Sequence, residues 1–230
     1  MSLKILCIIP DRSGSKSLPH KNIKIYNDKP LRSHSILHAQ KSKYNMRIIV
    51  STDSKEYQQI ANKYGAETPF LRPPEISLDN SLDIDFIKHT IKWLKIHENY
   101  NPDIILQLRP TSPTRKVDDI DKALDLFIEN IDNYDSLRSV IEFDKYPYKM
   151  YNIENNILIP LFNSVNSITE PYNSLRQLLP KCYLHNGYID IFKTNIIENN
   201  TISGKKILPF VMDYNNNIDI DTENDWNTLL

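Results

Sequence analysis

Apolar residues fall along this chain in short runs separated by amphipathic stretches, and the two patterns alternate. The first run, residues 3–9, is apolar except for Lys4 and rich in branched side chains. That is the composition of a strand buried on both faces. Runs of the same kind recur at 47–51, 68–71, 104–108, 136–141, 182–192 and 207–212, the 182–192 run being interrupted at His185-Asn186-Gly187. Between them the spacing predicts helices. One covers 30–43, opened by Pro30, and one covers 55–64, which Asp53 or Ser54 can cap and Gly65 can stop. A longer one, 82–97, carries Ile84, Ile87, Ile91 and Leu94 on one face, and others cover 117–130, a short stretch after Thr194, and 222–230 behind Thr222. Strands alternating with helices at this spacing predict an α/β fold, a mostly parallel sheet covered by helices on both faces.

The alternation stops between 143 and 180. There Tyr146-Pro147-Tyr148-Lys149-Met150-Tyr151 and Ile157-Leu158-Ile159-Pro160 flank Glu154-Asn155-Asn156, the pattern of a hairpin. The stretch is aromatic and apolar but too small for its own core, so it must pack on something else. A second subunit is the economical choice, and an insertion lying on its own domain is the alternative. The expected organisation is one α/β domain made of 1–142 and 181–230, with 143–180 inserted.

Composition narrows the partners. The chain has 230 residues, 40% of them apolar, which is enough for a core of this size. Its 28 basic and 29 acidic residues leave a net charge of −1, so no global field favours nucleic acid or an anionic membrane, and any anion site must be local. Cys7 and Cys182 give neither a disulfide framework nor metal-ligand spacing. The apolar N-terminal run is too short for a signal peptide and no stretch is long enough to span a membrane, so the cytoplasm is the expected compartment.

The chemistry concentrates where the first strand ends. After Pro10 comes Asp11-Arg12-Ser13-Gly14-Ser15-Lys16-Ser17. Small side chains let backbone N–H groups approach an anion, and Arg12 and Lys16 add positive charge. This is not a P-loop, because Pro10 and Ser15 occupy the two glycine positions of that motif. In a parallel sheet ligands bind beyond the carboxyl ends of the strands. Thr52-Asp53, Arg72 and Arg109-Pro110-Thr111-Ser112 fall on that same rim. Near the C-terminus Asp219 and Asp221 are two apart in an extended segment, so their carboxylates share a face and suit Mg²⁺ bound together with a polyphosphate. Solvated acids before a helix are the plainer reading. The six histidines show no ligand spacing.

Taken together these stretches resemble a known family. Ile8-Ile9-Pro10-x-Arg12-Ser13-Gly14-Ser15-Lys16-x-Leu18-Pro19-x-Lys21-Asn22 is similar to the opening signature of the CMP-sialic acid synthetases, the acylneuraminate cytidylyltransferases. Val50-Ser51-Thr52-Asp53, Leu71-Arg72-Pro73, Arg109-Pro110-Thr111-Ser112-Pro113-x-Arg115, Asn186-Gly187 and Asp219-Ile220-Asp221-Thr222 follow in order. The resemblance spans essentially the whole chain. It implies a Rossmann-like nucleotidyltransferase sheet, Mg²⁺, and a homodimer built through the 143–180 insertion. The reaction it implies joins CTP and an α-keto sugar acid, a sialic acid or a related nonulosonic acid, into a CMP-sugar and pyrophosphate. A 3-deoxy-octulosonate type acid and a non-catalytic nucleotide-binding paralogue are the alternatives.

By the same resemblance, Arg12, Ser15 and Lys16 would bind the triphosphate, with Arg12 and Lys16 stabilising the charge that develops. Asn22 and Arg72 would contact the cytidine, and Asp219 and Asp221 would hold the metal. Arg109, Thr111, Ser112, Asn186 and Tyr188 would shape the sugar side, while Lys149 and Arg176 would reach a partner's site. The chain departs from the family pattern at Asp11, Ser17, Arg109 and Tyr188. An acid at position 11 would repel a triphosphate unless it pairs with a cation or points away, and if it does repel, Asp11→Ala should raise CTP affinity.

Overall fold

The computed structural model describes residues 3–14, 21–213 and 219–229. Six strands form the central sheet: β1 (Ile5–Pro10), β2 (Met46–Ser51), β3 (Ile104–Gln107), β4 (Ser136–Phe143), β5 (Cys182–Lys193) and β6 (Ile207–Met212), in the order β6-β4-β5-β3-β1-β2. Five run parallel, and β5 runs antiparallel to both β3 and β4. The α/β, mostly parallel sheet expected from the alternation is therefore present, with one reversed strand in its middle. Along β5 the register shifts between His185 and Asp190, where the sequence breaks at Asn186-Gly187.

The helices are α1 (Leu31–Lys41), α2 (Lys55–Lys63), α3 (Asp83–Glu98), α4 (Val117–Glu129) and α5 (Glu223–Leu229). Strand periodicity sends Ile5, Cys7 and Ile9 of β1 into a core with Ile36 and Ala39 of α1, Ala61 of α2 and Ile120, Leu124 and Phe127 of α4. Leu6 and Ile8 point the other way, against Ile84, Phe86, Ile87 and Leu94 of α3 and against Ile196 and Ile197. Both faces of the sheet are thus covered, as a parallel sheet requires. The turn after Thr194 is a 3₁₀ helix, Thr194–Asn199.

The 68–71 strand does not form. Only Glu67 pairs with β2, accepting from the Val50 N–H and donating to the Ile48 carbonyl. Pro69 has no N–H to continue a ladder, and the Thr68 and Phe70 carbonyls instead accept from the Gln58 amide. At the C-terminus, Ile220 is buried with Leu31 and Trp226, and its N–H donates to the Thr111 carbonyl. Thr222 and Asp225 cap α5 reciprocally, side chain to backbone N–H in both directions. These contacts fix Asp219 and Asp221 against the loop that leaves β3.

Residues 143–180 carry an antiparallel hairpin of Tyr151–Glu154 and Ile157–Pro160. Its apolar side chains face outward: Ile153 is 73% exposed and Leu158 61%, and Leu175 and Leu178 are as open.

Candidate functional site

A pocket of about 520 Å³ lies beyond the carboxyl ends of β1 and β3. Its wall takes Arg12 from the loop after β1, Lys21 and Asn22 from the next turn, and Arg72 from the segment after β2. Asp83 and Phe86 come from the start of α3, Arg109 and Thr111 from the loop after β3, and Asp221 from the C-terminal segment. Residues scattered over nearly the full chain therefore meet at one rim, as the topology of such sheets dictates.

Among the described residues four cations face this space, and three are held by carboxylates. The Lys21 amine donates to Asp221 at 2.8 Å, joining residues 200 positions apart. Arg12 pairs with Asp79 at 2.6 Å. Arg109 spans Asp83 and Asp190, each at 2.7 Å, and also donates to the Gly187 carbonyl. Burial works against its charge, but Asp190 and Asp83 outweigh this and hold its pKa above the ordinary value. Arg72 forms no ion pair among the described residues. Its guanidinium donates to the Ser51 hydroxyl and carbonyl at 3.1 and 2.6 Å and lies 4.8 Å over the Phe86 ring. Burial lowers its pKa to about 10, so it remains charged at neutral pH.

The start of the loop is fixed by Asp53, whose carboxylate accepts from the Ser13 N–H and hydroxyl at 2.8 and 3.0 Å. Asp11, which would repel a triphosphate unless it paired with a cation or pointed away, does pair with one. It is fully buried, ion-paired with the equally buried Arg32 of α1, and accepts from the Asn22 amide at 2.8 Å. Burial pushes its carboxyl up to about 6, with Arg32 and Asn22 pulling the other way. The same amide of Asn22 keeps its Oδ1 buried and without a hydrogen-bond partner among the described residues.

Asp219 is half-buried beside Thr111; burial raises its pKa, Thr111 opposes this, and the nearby Asp221 charge adds to it. Among the described residues no group of three or more His, Cys, Asp or Glu side chains could hold a metal by itself. Two carboxylates completed by phosphate oxygens and water form a donor set that Mg²⁺ accepts, so Asp219 and Asp221 fit that ion.

Several residues read as pocket-lining lie elsewhere. Tyr188 is wholly buried: its hydroxyl accepts from the Lys116 N–H at 2.7 Å and donates to Asp119 at 3.0 Å, and its ring lies under Arg115. Asn186 is buried, its Oδ1 accepting from the Ser139 hydroxyl and the Tyr188 N–H. Ser112 is buried and off the pocket wall. Lys149, which donates to the Tyr172 and Ser174 carbonyls, and Arg176, which lies over Tyr146, were expected at a partner's site rather than in this pocket, and neither lines it. Ser15 and Lys16 fall outside the described residues, as does Ser17. Conversely, Lys21, Asp79 and Asp83 line the pocket without having been singled out. Lys21 sat inside the opening motif, whereas the two acids looked like ordinary loop and helix-start residues.

The Tyr188 placement gives a test. Tyr188→Phe leaves the Lys116 N–H unpaired and should lower the unfolding free energy by about 1–3 kcal/mol in urea titrations. Because the ring does not reach the pocket, ligand affinity at the site should stay unchanged.

Comparison with known proteins bears on this site. A family model described as cytidylyltransferase matches residues 6–157. The chain is 33% identical over 229 residues to the N-acylneuraminate cytidylyltransferase of Escherichia coli O18:K1:H7, covering 98% of this chain and 51% of that protein, about half its length. It is 34% identical over 225 residues to the CMP-N,N'-diacetyllegionaminic acid synthase of Campylobacter jejuni serotype O:2, covering 97% of this chain and 92% of that one. A solved CMP:2-keto-3-deoxy-manno-octonic acid synthetase complexed with CTP matches with a TM-score of 0.69 at 15% identity, over 98% of this chain and 96% of that one. At that identity the likeness is one of fold.

Proposed function

The chain belongs to the cytidylyltransferase family, on the branch of the CMP-sialic acid synthetases, and from that premise we propose that it uses CTP to activate a nonulosonic acid as its CMP-sugar, releasing pyrophosphate. The observation that carries this reading is the 2.8 Å contact between Lys21 and Asp221, which brings the basic opening segment onto the acidic C-terminal segment across one pocket. Cations and metal-binding carboxylates on opposite ends of the chain are what a triphosphate and its ion need.

Lys21 and Arg12 bind phosphate oxygens, exchanging the carboxylates that hold them for the ligand. Lys16 and Ser15, which follow in sequence, bind the same triphosphate in this reading. Arg72 and the open Oδ1 of Asn22 meet the nucleoside. Asp219 and Asp221 hold Mg²⁺, which when bound neutralises and orients the phosphates. The anomeric hydroxyl oxygen of the sugar acid attacks the α-phosphorus, the bond to the bridging oxygen breaks, and pyrophosphate leaves as the hydroxyl proton is lost. Arg12, Lys16 and Lys21 stabilise the charge that develops on the leaving group.

The exposed apolar hairpin docks on a second copy of the chain, making a homodimer in which Lys149 and Arg176 approach the partner's sugar acid. Two Asp substitutions on the hairpin, Ile153→Asp with Leu158→Asp, should turn dimer into monomer by light scattering. Turnover of the sugar acid should fall about tenfold or more, while CTP binding is retained. Both side chains are exposed, so the fold should survive. No helix among the described residues is long and apolar enough to cross a membrane.

The direct test is pyrophosphate release with CTP, Mg²⁺ and a panel of sialic, legionaminic, pseudaminic and 3-deoxy-octulosonic acids. Release with one of the nonulosonic acids is expected. Folded protein that releases none with any member overturns the reading.

A further inference from the structure

Cytosine and uracil differ at one edge: position 4 carries an amine donor in cytosine and a carbonyl acceptor in uracil. A pocket that prefers cytosine must place an acceptor where that amine arrives. Of the carboxylates on the pocket wall, Asp79 is engaged by Arg12 and Asp221 by Lys21. Asp83 is arranged differently. Its Oδ2 accepts from Gln107 Nε2 at 2.8 Å and Arg109 Nη2 at 2.7 Å, while its Oδ1 makes no hydrogen bond among the described residues. The side chain is 35% exposed and lines the pocket.

The anchors of Oδ2 are themselves fixed. Gln107 is fully buried at the end of β3. Arg109 is gripped from behind by Asp190, which His185 contacts at 2.8 Å, and its guanidinium packs on Gly187. Gly187 has φ of +65°, and a Cβ there would fall 3.2 Å from Arg109 Nη1, so both the turn and the close approach need glycine. With one oxygen pinned by two donors, the direction of the other is set. Its surroundings suit a flat ring better than an anionic sugar acid: Ile76, Leu78, Leu82 and Phe86 line the same pocket, and a second carboxylate would be repelled by Asp83.

We propose that Asp83 is the base-reading residue of this site. Its Oδ1 accepts a hydrogen bond from the exocyclic amine of cytosine and repels the 4-carbonyl of uracil, with Gln107 and Arg109 as positioning residues. This rests on the cytidylyl-transfer reading and deepens it by naming the group that selects the nucleotide.

Equilibrium binding, with no turnover required, tests it. The probes are CTP, UTP and the CTP analogue with hydrogen in place of the 4-amino group. Wild-type protein should bind CTP about 10- to 100-fold more tightly than either of the others, the range of a hydrogen bond to a charged group. Asp83→Asn can keep its carbonyl oxygen toward Gln107 and Arg109 and turn its amide donor into the pocket. CTP should then weaken about tenfold or more and UTP should strengthen. Wild-type protein that binds CTP and the analogue equally well overturns the proposal, and this arm does not depend on the variant folding. A folded Asp83→Asn protein with an unchanged CTP-to-UTP ratio also overturns it; a shift confined to the KM of the sugar acid would place Asp83 on the sugar instead. Wild-type protein that binds neither nucleotide sinks the cytidylyl-transfer reading itself, whereas CTP binding without discrimination sinks only the role of Asp83.

Discussion

Asp11→Ala should lower the unfolding free energy by about 3–5 kcal/mol and leave CTP affinity no higher than in the wild type. Read in sequence, an acid inside a phosphate-binding loop is a handicap whose removal should help, unless it pairs with a cation or points away. In the structure it is the buried counterion of Arg32, and both side chains have no exposed surface. Burial works against the charge on each of them, pushing the Asp11 carboxyl up and the Arg32 guanidinium down. The intact pair therefore contributes little net stability, because desolvation offsets most of the attraction. Removing one partner is another matter. Alanine leaves a guanidinium in the core whose partners among the described residues are the Asn22 and Tyr57 carbonyls and the Tyr57 ring, and it frees the Asn22 amide that Asp11 had held. Since Asn22 lines the pocket, nucleotide binding should weaken along with the fold. Urea titration and calorimetry with CTP on the same preparation check both halves. Unchanged stability together with tighter CTP binding would return Asp11 to the role of a repelling charge.

The contrast shows where sequence reading succeeds here and where it stops. The sheet strands and the five helices were legible because each has a local cause. Branched apolar runs mark the strands, Pro30 opens α1, Ser54 caps α2 and Thr222 caps α5. The rim of the pocket was legible too, because an α/β alternation dictates which strand ends converge. What sequence could not supply was partnership across the fold. Asp11 looks solvent-facing until α1 brings Arg32 beneath it. Tyr188 follows a motif glycine and so reads as part of the pocket. The register shift between His185 and Asp190 instead lets it turn into the same core as Ile189 and Ile191, its hydroxyl meeting Lys116 and Asp119 at the start of α4. The reversal of β5 has no signature in its composition, since a strand buried on both faces reads the same in either direction. Asp83 could equally have been a helix-start acid with no further role; only Gln107 and Arg109, converging on one of its oxygens, distinguish it.

Position 109 shows how one departure from the family pattern propagates. A guanidinium there brings charge that must be balanced, and Asp83 and Asp190 do so from two different elements. Burial alone would raise the Asp190 carboxyl, but the His185 contact and the Arg109 charge outweigh it and hold it below its ordinary value. Arg109 thus has its charge already committed. It is poorly placed to bind the carboxylate of a sugar acid and well placed to set the geometry of the wall.

Asp221→Ala should reduce Mg²⁺-dependent turnover about a hundredfold or more, since a bound metal supplies several kcal/mol of charge stabilisation in such reactions. The fold should lose only about 1 kcal/mol, because Asp221 is largely exposed and its pairing with Lys21 is screened by the open pocket. The alanine variant alone cannot separate a metal ligand from a support for Lys21, because it removes both. Asp221→Asn does separate them: its amide oxygen can still accept from the Lys21 amine, but it is a far weaker ligand for a hard cation. If Asp221 holds the metal, the two variants should lose comparable turnover, and the strengthening of CTP binding by Mg²⁺ should shrink in both when measured by calorimetry. If its work is to orient Lys21, asparagine should retain most of the activity and the full response to Mg²⁺. That second outcome would remove Asp221 from the metal site and leave Asp219, half-buried against Thr111, as the carboxylate to examine next.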